Sequence, residues 1–183
     1  NDTGANLGAS WRDTNYNDSA WPAGNAQLGF GDGDETTVIA TNRQINTYFR
    51  RWVQIPNPAD YAFTLWLLRD DGAVVYLNGS EVFRSNMPTG AVAYATNAAS
   101  NLTGSDETNW LSYALSPALL VTGVNVLAAE VHQGSSGSPD MVFGMRLLVQ
   151  PAPVPVITTN PMPLITAEIG TLTNMSVGVG SGS

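Results

Sequence analysis

The chain of 183 residues contains no cysteine, no lysine and a single histidine, His132. The missing cysteine excludes disulfides, thiolate nucleophiles and cysteine-ligated zinc together. With one histidine in addition, a typical structural zinc site within one chain is excluded. All seven basic residues are arginine, set against 15 acids, for a net charge of -8. Such a surface repels nucleic acid and anionic membranes, whose binding depends on clustered positive charge, and it tolerates cations such as calcium. No run approaches the ~18 apolar residues of a membrane helix, so membrane insertion is not expected, and no basic-then-apolar leader opens the chain. The first residue is Asn rather than Met, as removal of a leader or an upstream domain would leave it.

Amphipathic helical periodicity of about ten residues or more is also missing, and what remains is β pattern. Only 12% of residues are charged while Gly, Asn, Thr, Ser and Ala abound, a balance common in secreted β proteins. Residues 63–84, FTLWLLRDDGAVVYLNGSEVFR, read as a strand, an acidic turn at Asp70-Asp71-Gly72, a second strand, a tight Asn78-Gly79 turn and a third strand. Asn-Gly between apolar runs is a strong hairpin signal, because both residues tolerate the positive φ of a type I′ turn. An antiparallel meander is the predicted frame. Residues 46–55 alternate, with Phe49, Val53 and Ile55 opposite Tyr48, Arg50, Trp52 and Gln54, as in a half-buried strand. Residues 63–68 are apolar on both faces and predict a central strand covered from each side. Strands are also expected over 110–115, 124–133 and 141–150. Residues 7–35 read as loops pinned to the core by Trp11, Trp21 and Phe30, and 86–109 as a long excursion, either a solvated connector or a binding loop.

The organisation predicted is one domain over residues 1–150, a Pro-rich linker over 151–163 beginning PAPVPV, and a C-terminal β segment over 164–183. That segment has apolar positions at Leu164, Ile165, Ile169, Leu172, Met175, Val177 and Val179 but no hairpin of its own. Its backbone must pair in cis, with a following domain or with a neighbouring subunit.

The order of motifs resembles a galactose-binding-like β-sandwich (jelly-roll) module of secreted bacterial proteins. Trp11 and Asp18-Ser19-Ala20-Trp21-Pro22 match an opening W…DSAWP, followed by LGFGDG from Leu28 and YFR at Tyr48. DDGAVVYLNG from Asp70 and GVNVLAAEVHQ from Gly123 come next, and Ser138, Asp140 and Phe143 fit the closing pattern. The DDG-to-NG hairpin and the G-x-N-x-L-A strand are also similar to the sugar-binding domain of family-2 glycoside hydrolases. The resemblance covers about residues 8–149. It implies an all-β antiparallel sandwich and a noncatalytic extracellular accessory module, carbohydrate-binding or adhesive and calcium-stabilised, with a polysaccharide or cell-surface glycan as partner. It does not reach the tail, whose unpaired β segment motivates the alternative of a surface filament or stalk subunit assembling with copies of itself.

For calcium, the candidate ligands are Asp32, Asp34 and Glu35 in the GDGDE loop, with Asp140 and Asp18 as the distant carboxylates that complete the shell, because hard cations take six to eight oxygen ligands from such loops. The other reading is a solvated acidic turn. For a saccharide, the candidates are Trp52 and Tyr76 as stacking faces and Asp71, Asn78 and Arg84 as polar contacts. Asp70 and Asp71 also fit plain turn residues that hydrogen-bond neighbouring amides. As a glycosidase pair they fit poorly, since adjacent strand-end carboxylates point apart. His132 shares a face with Glu130, as a hydrogen-bonded pair would, and without a G-x-S-x-G elbow a Ser-His-Asp enzyme is not expected. Trp11, Trp21 and Trp66 are assigned to packing and Trp52 to the surface.

Overall fold

A computed structural model of the chain describes residues 3–40, 44–153, 156–157 and 179–180. The chain divides into two compact units, Asn1–Gln150 and Pro151–Ser183. The first is an antiparallel β-sandwich. One sheet has five strands in the order β2-β1-β9-β4-β7: Thr37–Val38, Leu28–Phe30, Met141–Pro151, Tyr61–Arg69 and Leu111–Leu115. The other has four in the order β3-β8-β5-β6: Asn46–Ile55, Gly123–His132, Gly72–Leu77 and Ser80–Ser85. The short β1–β2 pair is parallel; the remaining registered pairs are antiparallel.

The Asn78-Gly79 turn joins β5 to β6 as its composition predicts, with φ of 51° and 87° and Leu77 opposite Ser80. The acidic corner departs from the expected meander. Strands β4 and β5 lie in different sheets, so Asp70-Asp71 is a crossover between layers rather than a hairpin corner. Local apolar pattern predicts strands but not their partners, and that is why the two kinds of turn look alike in sequence. In the same way, Leu28–Phe30, expected within a loop, is a strand held against β9. Strand β4 buries Phe63, Leu65 and Leu67 on one face while Thr64 and Trp66 are half-buried on the other, so it is not covered equally from both sides.

Between the sheets lies the main core, in which Phe63, Leu65 and Leu67 of β4 meet Val75, Leu127 and Ala129 of the opposite layer. Stacked Phe49 and Phe143, 4.0 Å between centroids, close one seam, and Phe83 against Tyr113 at 5.1 Å closes the other. A second core sits on the outer face of the four-stranded sheet. There Tyr48, Val74, Tyr76 and Val126 are covered by Trp11 from the N-terminal segment and by Met87 and Ala98 from the long excursion. Trp11 packs at 4.6 Å on Tyr48 and edge-on to Tyr76 at 5.7 Å. The excursion is thus a lid over apolar surface, with a single helical turn, Ser105–Thr108, near its end.

In the second unit, Val156–Ile157 pairs antiparallel with Val179–Gly180, joining the range expected as linker to the end of the β segment. The other apolar positions of the segment, Leu164 to Val177, lie outside the described residues.

Trp11 is 1% exposed, and removing a buried tryptophan costs about 3 to 5 kcal/mol. Urea unfolding of Trp11→Ala should show a loss of that size, whereas Trp52→Ala, at an exposed position, should change stability by less than about 1 kcal/mol. Equal effects would refute the anchoring role of Trp11.

Candidate functional site

The outermost strand of the four-stranded sheet, β3, presents side chains to a cleft of about 520 Å³ on its free edge. Phe49 and Phe143 lie along its floor, Pro22 to Ala26 form one wall, and Trp52 stands at the rim, 51% exposed. Strand alternation sends Arg50 and Trp52 to the outer face of the sheet and Phe49 and Arg51 to the inner one. Because β3 has no strand beyond it, both sets reach the same cleft.

Arg50 organises the site. Its side chain is 1% exposed, with Nε donating to Asp18 Oδ2 at 2.8 Å and Nη1 donating to the carbonyls of Trp11 and Asp13. Burial pushes the Asp18 carboxyl up, but hydrogen bonds from Arg50 and Trp52 and the Arg50 charge outweigh it, leaving its pKa below the usual carboxylate value. Trp52 Nε1 donates to the same Asp18 Oδ2 at 3.3 Å, which fixes the indole edge and leaves the ring face free. In the wall, a Cβ on Gly24 would lie 2.4 Å from Thr37 Cγ2, so a larger residue here requires Thr37 to shift.

The other predicted ligand residues are dispersed. Asp71 is 2% exposed, and its two oxygens accept from Leu102 N and Gly134 N, both at 2.6 Å. It is a staple between distant loops rather than a cap on its own turn, and it is buried away from solvent. Tyr76 is buried beneath Trp11, with the Arg12 guanidinium 4.5 Å from its ring centroid, and donates its hydroxyl to Glu130 Oε1 at 2.5 Å. Asn78 is engaged with Asn125 Oδ1 and Val126 N, each at 2.9 Å. Arg84 forms a two-pronged pair with Glu81 at 2.6 Å.

The acidic loop is likewise turned on itself. Glu35 accepts from the amides of Asp32 and Gly33 at 2.9 and 3.0 Å, and Asp34 accepts from Gln27 at 3.2 Å. Asp32 is held above the ordinary carboxylate pKa by burial and by the charges of Asp140, Asp34 and Glu35. Among the described residues, no three His, Asp or Glu side chains converge at metal-ligating spacing.

His132 and Glu130 do meet, inside the second core. His132 Nε2 lies 3.3 Å from Glu130 Oε2, Asn46 Nδ2 donates to the same oxygen at 3.1 Å, and His132 Nδ1 donates to Thr96 O at 2.6 Å. Burial drives Glu130 upward, but its bonds from His132, Tyr76 and Asn46 more than compensate and its pKa is lowered. With His132 fully buried, the pair is structural and does not face a cleft.

Sequence reasoning missed the Arg50–Asp18 clamp and the role of Asp70. Both Asp18 and Arg50 stand inside the quoted motifs, and a charged residue facing an apolar strand surface is a signal for a buried partner. Asp70 is 2% exposed with Oδ1 unpartnered. Burial, the Asp71 charge and a hydrogen bond to Asp71 raise its pKa to about 8, so at neutral pH Asp70 holds its proton. An unfolded aspartate ionises near ~3.9. Between that pH and about 8 the native state holds a proton the unfolded chain has lost, so this contribution to stability falls as pH rises and is gone above 8. Thermal melts from about pH 5 to 9 should show wild type losing stability relative to Asp70→Asn as pH rises. Parallel profiles would contradict the shared proton.

No protein-family model matches the sequence, and comparison with curated proteins gives no match. Among solved structures, the fold is similar to a β-glucuronidase from glycoside hydrolase family 2, at 18% identity and TM-score 0.43, over 72% of this chain and 12% of that one. It is also similar to an α-L-rhamnosidase from Aspergillus terreus, at 14% identity and TM-score 0.40, over 69% and 16%. The chain therefore spans less than a fifth of either enzyme.

Proposed function

We propose that this chain is a noncatalytic carbohydrate-binding module of an extracellular protein and that the Trp52 cleft is its binding site. The observation that carries this is Trp52 itself, a half-exposed indole whose edge is tied to Asp18 in the mouth of a 520 Å³ cleft. The apolar C–H face of a pyranose stacks on such a ring, and an oriented ring loses little conformational entropy when it binds. The cleft volume falls within the ~300 to 1,000 Å³ of small-ligand sites. Polar residues of the lining, Arg51 and Asn25 among them, are of the kind that meets sugar hydroxyls.

The same lining argues against hydrolysis at this place. Among the cleft's described residues Asp18 is the single carboxylate, and it is committed to Arg50 and Trp52, whereas glycoside hydrolysis uses two carboxyls flanking the sugar bond.

Affinity electrophoresis and titration calorimetry against a panel of soluble polysaccharides should reveal at least one that binds. Trp52→Ala should weaken it about 30-fold, the equivalent of ~2 kcal/mol for a central aromatic contact. Full retention of affinity by Trp52→Ala, or no binding across the panel, would rule the reading out.

A further inference from the structure

We propose that the Trp52 cleft selects an anionic saccharide, with a sugar carboxylate held by the Arg51 guanidinium while the ring lies on Trp52. This rests on the carbohydrate-binding reading and names the class of sugar.

The first argument is charge. The described lining of the cleft carries Arg50, Arg51 and Asp18, two positive charges against one negative, for a local charge of +1. The whole chain carries -8. A second, smaller cleft is lined by Asp32, Asp34 and Glu107, three negative charges and no positive one. The molecule therefore presents two clefts of opposite sign, and the positive one contains the exposed aromatic. In an acidic protein a local positive field is set by individual side chains rather than by overall charge.

The second argument is an inventory of arginines. Arg12 donates to Ala9 O and covers the Tyr76 ring, and Arg69 donates to Ser85 and to Asp106 O. Arg84 pairs with Glu81, Arg146 lies 4.2 Å over the Trp110 ring, and Arg50 is taken up by Asp18, Trp11 and Asp13. The Arg51 side chain alone among those of the described arginines has no hydrogen bond, ion pair or ring contact, and it is exposed in the cleft. Asp18, the single carboxylate of the lining, accepts from Arg50 and Trp52 at Oδ2 and makes no ion pair with Arg51. Arg50 Nη2 is buried without a partner, so hydrogen bonds do not fully answer the Arg50 charge already counted in the cleft.

A free guanidinium offers two parallel N–H donors that match the two oxygens of a carboxylate. A neutral sugar would leave this charge unused. The repulsion between a -8 chain and a polyanion means that binding must come from contacts inside the cleft, not from general attraction.

The test uses the full chain in EDTA and a panel of galacturonate, glucuronate and mannuronate oligosaccharides. Each is titrated beside its carboxyl-reduced neutral counterpart, with a sulfated oligosaccharide as a further arm. At least one uronate should bind about tenfold more tightly than its reduced counterpart. Arg51→Gln, at an exposed position, should abolish that preference with an unchanged melting temperature, while Trp52→Ala weakens both forms. If the neutral forms bind equally well, or Arg51→Gln leaves the preference intact, the anionic assignment is wrong and carbohydrate binding stands. A sulfated ligand bound more tightly than every uronate overturns the carboxylate assignment. Absence of binding to every sugar, charged or neutral, overturns both readings.

Discussion

A guanidinium with 1% exposure needs its charge and its donors answered inside the protein, and Arg50 finds those answers, for every nitrogen but Nη2, in one stretch of chain. Asp18 neutralises it, and the carbonyls of Trp11 and Asp13 accept from it. These contacts hold the N-terminal segment on the outer face of the four-stranded sheet. From that follow the seating of Trp11 in the second core, the position of the loop that walls the cleft, and the orientation of Trp52 through the shared Asp18 oxygen. Removing Asp18 would leave a buried positive charge unpaired, one of the more expensive defects a fold can carry.

Coverage of the two faces explains why the sandwich can be so poor in charge. The inner face of the four-stranded sheet is sealed by the other sheet. The outer face, which in many antiparallel sheets is wet, is largely closed by Trp11, Met87 and Ala98. Polar side chains caught beneath this cover, Glu130, His132, Asn46 and Tyr76, answer one another in a network. At the free edge of β3 this cover ends, and there the cleft beside Trp52 opens.

Strand positions and the Asn78-Gly79 hairpin were legible because each depends on residues adjacent in sequence. Strands over 46–55 and 111–115 follow from alternation, and the turn follows from two residues that accept positive φ. Sheet membership was not legible. Asp70-Asp71 reads as a hairpin corner because nothing local distinguishes a turn within a sheet from a crossover between sheets. Trp52 stood out as an exposed aromatic on an alternating strand, and its exposure is a local property. The grouping of Trp52 with Asp18, Arg50 and Arg51 depends on a contact between residues 32 positions apart, which no short window contains. Asp71, Tyr76 and Asn78 looked like site residues for their chemistry alone, but their partners lie far along the chain, and Arg84 is taken up locally by Glu81.

The Asp71 staple also bears on how such a module diversifies. Its two oxygens bind the excursion at Leu102 and the β8–β9 turn at Gly134 into one block, so an insertion in either loop strains the other. Pro22, Ala23, Asn25 and Ala26 carry no comparable tie beyond the bond from Thr37 to Asn25 O, with Gly24 as the fixed point against Thr37. A change of length on either side of the staple is therefore felt by both loops at once, whereas the wall over 22–26 can change without that coupling.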